Sequence, residues 1–218
     1  MKIQYLGHAS FRLTDSAGVS IVTDPYEPGG YDGAVGYGKQ TEPADIATIS
    51  HEHGDHNYPA AVPGNPEVVK GVGRHLVKGI EINGVASYHD GKEGAERGPN
   101  TMMCFKLDGI NVCHAGDLGH QPTDVQKATI GQVDVLLVPV GGVFTVDAAG
   151  ASKVVEALNP KIVIPMHFKT DKCGFPLAKP DDFLAGKANV QNTGSSQIEL
   201  DRASLPASTQ VVLLSPAL

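Results

Sequence analysis

The chain has 218 residues, of which 41% are hydrophobic, so it can bury a sizeable core, and we expect residues 1–218 to form one domain. Its formal net charge of −7 offers no basic surface for an extended nucleic acid, which we exclude as a partner. The sequence has no apolar stretch of signal-peptide or membrane-span length and its three cysteines form no CxxC motif, so we expect a cytoplasmic protein with no membrane partner and no disulfide framework.

Short apolar segments rich in valine and isoleucine recur along the chain and predict strands. These segments are residues 2–6, 9–13, 19–23, 46–50, 67–71, 80–88, 101–107, 110–115, 133–138, 161–166 and 210–214. Helical patterns are fewer and cover residues 123–130, 147–158 and 180–186. Strands dominate the first half and strand–helix alternation follows, so the order predicts a mixed α/β layered domain rather than a purely parallel doubly wound sheet.

Two long glycine-rich connections, residues 24–45 and 89–100, separate some of these strands. Connections of this length inside a domain are usually functional or disordered. Tyrosines, lysines and an arginine are interleaved with the glycines, which is not the composition of a flexible linker. We therefore expect both connections to form walls of a pocket, with Tyr26, Tyr31 and Tyr37 on one side.

The dipeptide Asp108-Gly109 lies between two apolar runs and predicts a two-residue hairpin turn. Counting back from this turn places Cys104 opposite Cys113, where two thiols would lie close together. In a reducing compartment, two buried free cysteines are the favoured interpretation.

The segment HEHGDH, residues 51–56, follows directly after an apolar run. His51 and His53 are spaced i, i+2, so in extended backbone both imidazoles point to one side and can reach one cation. Gly54 is expected to turn the chain at positive φ and to aim the aspartate and histidine that follow at a neighbouring point. A solvated histidine-rich loop is the alternative, but chance composition rarely gives this order. The segment could hold one metal or two.

Six residues cannot complete a metal site by themselves, so more distant ligands are expected. His89, Asp117 and His167 each come directly after an apolar run, and their strands would bring them to one edge of a sheet. A single histidine in such a place is more often structural or merely exposed. Together with HEHGDH, however, the three residues supply His, Asp and His in chain order.

In this order and spacing, the chain resembles the metallo-β-lactamase superfamily, and within it the small hydrolases related to the L-ascorbate-6-phosphate lactonase group. The resemblance covers nearly the whole chain and rests on HEHGDH, Asp24 in TDP, His89, Asp117 in HAGD and His167 in PMHF. It implies a four-layer αββα sandwich with mixed sheets and a metal site in a cleft at one edge of the two sheets.

The resemblance also implies two divalent cations, with zinc as the default and manganese, iron, nickel or cobalt as alternatives. The implied ligands are His51, His53 and His89 for the first cation, Asp55, His56 and His167 for the second, and Asp117 as the bridge. Asp24 would accept the spare N–H of a ligating imidazole, unless its Asp-Pro sequence is simply a turn. His8 and His114 are candidates for supporting positions, and His8 is equally compatible with a structural histidine.

The implied chemistry is hydrolysis by a metal-bound hydroxide that two cations share. Asp55 is the expected catalytic residue, which orients the hydroxide or carries a proton. Arg97 and Lys92 follow ligand His89 and could clamp a carboxylate or phosphate, and His120 could also reach the substrate. The expected partner is thus a small anionic ester, lactone or phosphodiester.

Three other functions would fit parts of this pattern. A diiron oxidoreductase of the same fold would carry glutamate in place of His53 and usually a fused flavin domain. A nuclease of the superfamily would bring a basic surface or an extra binding module. A non-catalytic module would use its metals for stability alone. A homo-oligomer of any of these remains open.

Overall fold

The computed structural model describes residues 1–218, with fourteen β-strands and three α-helices. The strands are β1 (Lys2–Gly7), β2 (Ser10–Thr14), β3 (Ser20–Thr23), β4 (Ile46–Ile49), β5 (Glu67–Lys70), β6 (Gly73–Val77), β7 (Ile80–Tyr88), β8 (Pro99–Leu107), β9 (Ile110–His114), β10 (Val135–Pro139), β11 (Ile162–Met166), β12 (Val190–Asn192), β13 (Gln197–Glu199) and β14 (Gln210–Leu213). The helices are α1 (Asp124–Ile130), α2 (Ala148–Leu158) and α3 (Asp181–Leu184), with short 3-10 helices at Pro59–Ala61 and Arg202–Ser204. None of these helices combines the length and apolar character that crossing a bilayer requires.

The strands form two mixed sheets. The first has six strands in the order β13-β1-β2-β3-β4-β5, and the second has eight in the order β12-β14-β11-β10-β9-β8-β7-β6. In the first sheet β1, β2 and β3 run antiparallel and β3, β4 and β5 run parallel. In the second, β6 to β9 are antiparallel, whereas β9, β10, β11 and β14 are parallel. The expected α/β class with mixed sheets is therefore confirmed.

The main hydrophobic core joins the two sheets in a cluster of 40 buried residues. The first sheet contributes alternate positions of its strands, such as Ile3 and Tyr5 of β1, because successive side chains of a strand point to opposite faces. In the second sheet every residue of β10 and β11 is buried. Such continuous burial is typical of strands covered on both faces, and α2 supplies that cover with Ala151, Val154 and Leu158.

The outer face of the first sheet has a thinner cover. Leu6 of β1 and Val22 of β3 point away from the main core and form a small cluster with Ala44 and Val62, against which Leu218 packs. Ala44, Val62 and Leu218 therefore cover this face of the sheet, which a long helix covers in other layered α/β proteins.

Every strand predicted from the sequence has a counterpart in the structure, but β6, β12 and β13 were missed. β6 pairs with β7 through a tight turn in which Lys78 and Gly79 have φ values of 53° and 80°. Its sequence, GRHLV, has no apolar run, and most of its residues are at least partly exposed because it is an edge strand. The third helix is shorter than predicted because Ala185 already has extended backbone.

The hairpin of β8 and β9 has the register that the sequence predicted. Asp108 and Gly109 form the turn at φ values of 51° and 74°, and Cys104 lies directly opposite Cys113. Both thiols are free. Counting from the turn was sufficient here because a two-residue loop leaves a single register for the strands it joins.

Helix α2 begins at a side-chain cap whose removal should be measurable. The Asp147 carboxylate accepts a hydrogen bond from the backbone N–H of Gly150 at 2.8 Å. We expect Asp147→Ala to lower the free energy of unfolding by about 1 kcal/mol, whereas Asp147→Asn, which keeps an acceptor at the same place, should cost much less. Urea unfolding of both variants measures this difference. Equal losses in the two variants would show that the cap does not stabilise α2.

Candidate metal centre

The carboxylate of Asp117 lies at the centre of a buried cluster of histidines. Its Oδ2 atom is 3.2 Å from His89 Nε2 and 3.3 Å from both His56 Nε2 and His167 Nε2. His51 Nε2 lies 4.0 Å from the same oxygen. Residues that are far apart in the sequence therefore meet around one atom, at the edge where strands of both sheets end.

The potential ligand atoms form three groups, and within each group they lie within 4.8 Å of one another. One of them joins Asp24 to His51 and His56, and the other two divide the cluster between them. The first group is His51, His53 and His89, and the second is His8, Asp55, His56 and His167. Asp117 approaches members of both groups, because it contacts His89 of the first and His56 and His167 of the second. The structure thus brings together all seven residues predicted as ligands, and it adds His8 to the second group.

The turn within HEHGDH is made differently from the sequence-based expectation. Backbone N–H groups of His56 and Asn57 both donate to the carbonyl oxygen of His53, at 3.0 and 2.9 Å. Gly54 does not have a positive φ, so the expectation of a left-handed glycine here is wrong. The two hydrogen bonds to the His53 carbonyl close the turn without a glycine in left-handed backbone. His53 and Gly54 are exposed, and the site opens to solvent on their side.

Asp24 and Ser50 set the orientation of two of the histidines. Asp24 Oδ2 accepts hydrogen bonds from His56 Nδ1 at 3.0 Å and from Ser50 Oγ at 2.6 Å. Ser50 Oγ in turn accepts from His51 Nδ1 at 2.9 Å. Because both rings use Nδ1 as the donor, their Nε2 atoms are left to face Asp117. Ser50 was not among the predicted residues, although its position directly before the first histidine of the cluster was a signal.

Asn100 and Gly116 hold the backbone of Asp117 and were also missed. Asn100 Oδ1 accepts a hydrogen bond from the Asp117 N–H at 3.0 Å, and its Nδ2 donates to Ala115 O at 2.9 Å. Gly116 has a φ of 57°, and a Cβ atom added there would lie 2.6 Å from Ser50 Cβ. Only glycine fits this close approach. No pattern in the sequence identifies such contacts, because they join β4, β8 and β9.

His8 lies within the site rather than beside it. It is buried, and its Nε2 is 3.0 Å from Asp55 Oδ2. His8 and His167 have φ values of 56° and 51°, and the N–H of His167 donates to His8 O at 2.8 Å. Left-handed backbone is uncommon outside glycine and costs free energy, so such residues concentrate at functional sites.

Several histidines of the cluster are held neutral. Burial and the neighbouring His56 lower the pKa of His51 to about 3, and burial with the neighbouring His167 lowers the pKa of His8 to about 4. Burial also lowers the pKa of His53. Neutral imidazole is the form that binds a metal. These rings are therefore ready to act as ligands at neutral pH.

The carboxylates of the cluster favour a positive charge between them. Burial opposes the ionisation of Asp117, but the surrounding histidines hold the pKa of its carboxyl well below its usual range. Burial alone would also lower the pKa of His56, yet Asp117 and Asp55 raise it well above its usual range. His56 Nε2 and Asp117 Oδ1 are buried without a hydrogen-bond partner. These orphaned atoms and the mixed imidazole–carboxylate donors fit a divalent cation.

The other predicted site residues do not contact this cluster through hydrogen bonds or ion pairs. His114 Nε2 donates to Ala9 O at 2.7 Å and so joins the two sheets. Both ring nitrogens of His120 are engaged, since Nε2 accepts from Tyr88 N and Nδ1 donates to Gln121 O. The ammonium of Lys92 pairs with Glu96 on the surface, and the Arg97 guanidinium lies over the ring of Phe144.

The first long connection contains no helix or strand and the second runs into β8 at Pro99, but both differ from open pocket walls. Tyr26 and Tyr37 are buried in a small core, so only Tyr31 of the three expected tyrosines faces solvent, and the expectation for the other two is wrong. In the second connection, the Asp90 carboxylate accepts from four backbone N–H groups, of which the shortest bond comes from Arg97 at 2.7 Å. Burial would raise the pKa of Asp90, but these four donors outweigh it and lower the pKa to about 2. The loop after His89 is therefore tightly held.

Two mixed sheets with a histidine–aspartate centre at their shared edge define a metallohydrolase of the layered α/β type. Residues 2–167 match the family model described as the beta-lactamase superfamily domain. The chain belongs to this superfamily, and the expectation of a metal-dependent hydrolase is confirmed at that level.

Relatives of known sequence or structure agree with this membership. A UPF0173 metal-dependent hydrolase of Thermococcus kodakarensis is 30% identical over 87% of this chain and 95% of its own. Another, from Pyrococcus abyssi, is 31% identical over 78% of this chain and 85% of its own. A crystal structure from Thermotoga maritima, assigned as a Zn-dependent hydrolase of the metallo-beta-lactamase superfamily, shares 38% identity with a TM-score of 0.79, covering 98% of this chain and 97% of that one.

The role of Ser50 can be tested by metal affinity. Ser50→Ala removes the hydroxyl that connects His51 Nδ1 to Asp24, so we expect Zn²⁺ affinity, measured by chelator competition, to fall about 10- to 100-fold. Ser20→Ala is the matched control, because Ser20 also has a buried hydroxyl, which donates to Asp45 Oδ2 at 3.1 Å at the opposite end of β3 from Asp24. An equal loss of affinity in both variants would contradict an orienting role for Ser50.

Proposed function

We propose that this protein uses two divalent cations to hydrolyse a small anionic ester, lactone or phosphodiester. The observation that carries the proposal is the approach of two ligand groups to a single carboxylate, Asp117. One group offers three imidazoles and the other offers imidazoles with a carboxylate, and the histidine-rich donors favour zinc. The expected partner is a small molecule in the cytoplasm.

The residues that would hold the cations follow from the two groups. His51, His53 and His89 would hold the first, Asp55, His56 and His167 the second, and Asp117 would contact both. When bound, two such cations polarise a substrate oxygen and lower the pKa of a shared water. The protein keeps Asp24 and Ser50 behind the rings so that the Nε2 atoms stay directed at the centre.

Asp55 is the residue that we assign to the attacking water. Burial opposes its ionisation, but His56 and His8 hold the pKa of the Asp55 carboxyl well below its usual range. Asp55 therefore stays ionised at neutral pH, so it is a weak proton acceptor but can accept a hydrogen bond from the water. Its main role is therefore to orient the water, and the hydrogen bond from His8 to Oδ2 keeps the carboxylate in place.

Arg97 is the residue that best explains an anionic substrate. Its backbone is tied to Asp90, next to His89, and its guanidinium forms no ion pair within the protein. The other two candidates are less available, since Lys92 is paired with Glu96 and both nitrogens of His120 have partners. A guanidinium can bind a carboxylate or phosphate with two parallel hydrogen bonds.

Removal and return of the metal tests the proposed function. We expect the purified protein to contain close to two equivalents of divalent metal by mass spectrometry. Dialysis against a chelator should abolish hydrolysis of a panel of chromogenic esters, lactones and phosphodiesters, and added Zn²⁺ should restore it. A protein that holds two equivalents of metal but cleaves no member of the panel would favour the non-catalytic module.

A change at Asp55 that removes the charge but keeps the shape of the side chain separates its catalytic role from metal binding. We expect Asp55→Asn to lower kcat roughly 100- to 10,000-fold while at least one equivalent of metal remains bound. Glu52→Gln is the matched control within the same motif, because the Glu52 carboxylate faces away and bonds Lys70 and Asn57. Full activity in Asp55→Asn would remove Asp55 from the mechanism.

A further inference from the structure

Three aromatic side chains from separate loops form a continuous rim beside the metal centre. The ring of Phe175 lies 5.8 Å from the His8 ring, measured between centroids. Tyr31 and Phe144 each meet Phe175 edge to face, at 5.6 and 5.9 Å. The Arg97 guanidinium carbon lies 5.6 Å above the Phe144 ring. We call the rings of Tyr31, Phe175 and Phe144, together with the Arg97 guanidinium, the aromatic rim.

The backbone segments that carry the rim are anchored at the predicted metal ligands. The Tyr31 hydroxyl accepts a hydrogen bond from the Gly54 N–H at 3.2 Å, inside the histidine motif. The loop of Phe144 is fixed at both ends, because Gly141 N donates to His167 O at 3.1 Å and Val146 N donates to Leu118 O at 2.9 Å. The rim is therefore placed relative to the metal centre by short backbone connections.

The turn that presents Phe144 is strained. Val143 has a φ of 62°, and the Phe144 N–H donates across it to Gly142 O at 2.7 Å, which closes a three-residue turn. This turn is rare, and a β-branched residue in left-handed backbone is a true outlier. Val143 is also 54% exposed, so packing does not explain it. Such strain typically marks a ligand clamp or a switch.

Burial and charge show what the rim can accept. Tyr31 is 52% exposed, and Phe144 and Phe175 are partly exposed, which is unusual for three neighbouring aromatic rings in a chain with 6% aromatic content. Phe144 and Phe175 pack on the small core of Tyr26 and Tyr37 with part of their surface, and the exposed remainder can contact another apolar group. Arg97 adds a positive charge at one end that no carboxylate of the protein neutralises.

We propose that the aromatic rim is a specificity subsite for an aromatic or similarly flat apolar group located next to the anionic group of the substrate. The flat group packs on Phe144 and Phe175, and the anionic group reaches Arg97. This inference rests on the proposed function, whose substrate class it narrows to anionic compounds with an aryl-like part. A wholly polar substrate would leave the exposed ring surface of the rim without an apolar contact.

The test compares two probes that share one charged head. Phenylphosphonate and methylphosphonate are titrated into the zinc-loaded protein by calorimetry. The rim should make phenylphosphonate bind about tenfold more tightly, from ring packing and burial of apolar surface. Phe144→Ala should remove most of this preference, whereas Arg97→Gln should weaken both probes and leave most of the ratio between their affinities intact. Equal affinities of the two probes for the wild-type protein would overturn the proposal.

Two further variants separate specificity from general damage to the fold. Leu76→Ala removes another strongly exposed apolar side chain, on β6, and should leave the phenyl preference intact. Val143→Gly relieves the backbone strain, so the protein should melt at the same or a higher temperature while the phenyl preference falls about threefold. A Val143→Gly protein with unchanged preference would show that the strained turn does not position Phe144.

The binding assay does not depend on turnover, so it can fail separately from the proposed function. If the protein hydrolyses the chromogenic panel but binds both phosphonates equally, the proposed function stands and the proposed subsite is rejected. If the protein prefers phenylphosphonate but hydrolyses nothing, the rim stands as a ligand site and the proposed function is rejected.

Discussion

The arrangement of the site depends on one buried carboxylate, that of Asp117, and on what neutralises it. A carboxylate removed from water costs several kcal/mol unless other groups compensate for the lost hydration. Here four imidazole nitrogens lie within 4.0 Å of Asp117 Oδ2, while Oδ1 has no partner. Burial lowers the pKa of His51, so that its ring offers a dipole rather than a charge, whereas Asp117 and Asp55 raise the pKa of His56 well above its usual range. The cluster thus favours a positive charge at its centre, either a proton on His56 or a bound cation, which is the property that a metal centre requires.

The fold satisfies this requirement by ending strands of both sheets at one edge. β4 of the first sheet leads into the histidine motif, whereas β7, β9 and β11 of the second sheet lead to His89, Asp117 and His167. His8 follows β1, so a hairpin of the first sheet also contributes. Regular strands hold the chain rigidly up to these points, and the irregular backbone begins only where the side chains must converge. The left-handed conformations of His8, Asp24 and His167 are consistent with this division.

The sequence predicted which residues converge at the site better than it predicted what holds them. An apolar run followed by a histidine or aspartate can be read directly, because burial and strand ends leave a local pattern. Ser50 and Asn100 act through partners 26 and 17 positions away, and such contacts leave no periodic signal. Gly54 was assigned the wrong backbone conformation since glycine permits positive φ without requiring it. β6 was missed for a related reason, because an edge strand is half exposed and loses the apolar run that marks its neighbours.

The net charge of −7 makes the local arrangement of charge decisive for an anionic substrate. At physiological ionic strength, charges more than about 8 Å away are largely screened, so the acidic surface repels an approaching anion only weakly at long range. Close to the site the sign would reverse once the proposed cations are bound, because they and Arg97 are positive and Asp117 and Asp55 are already surrounded by imidazoles. Electrostatic attraction therefore acts only over the last few ångströms and favours anions in general. For the proposed substrate, selection among anions would have to come from contacts of shape and apolar surface, and the aromatic rings of Tyr31, Phe144 and Phe175 are the apolar groups that lie near this metal centre.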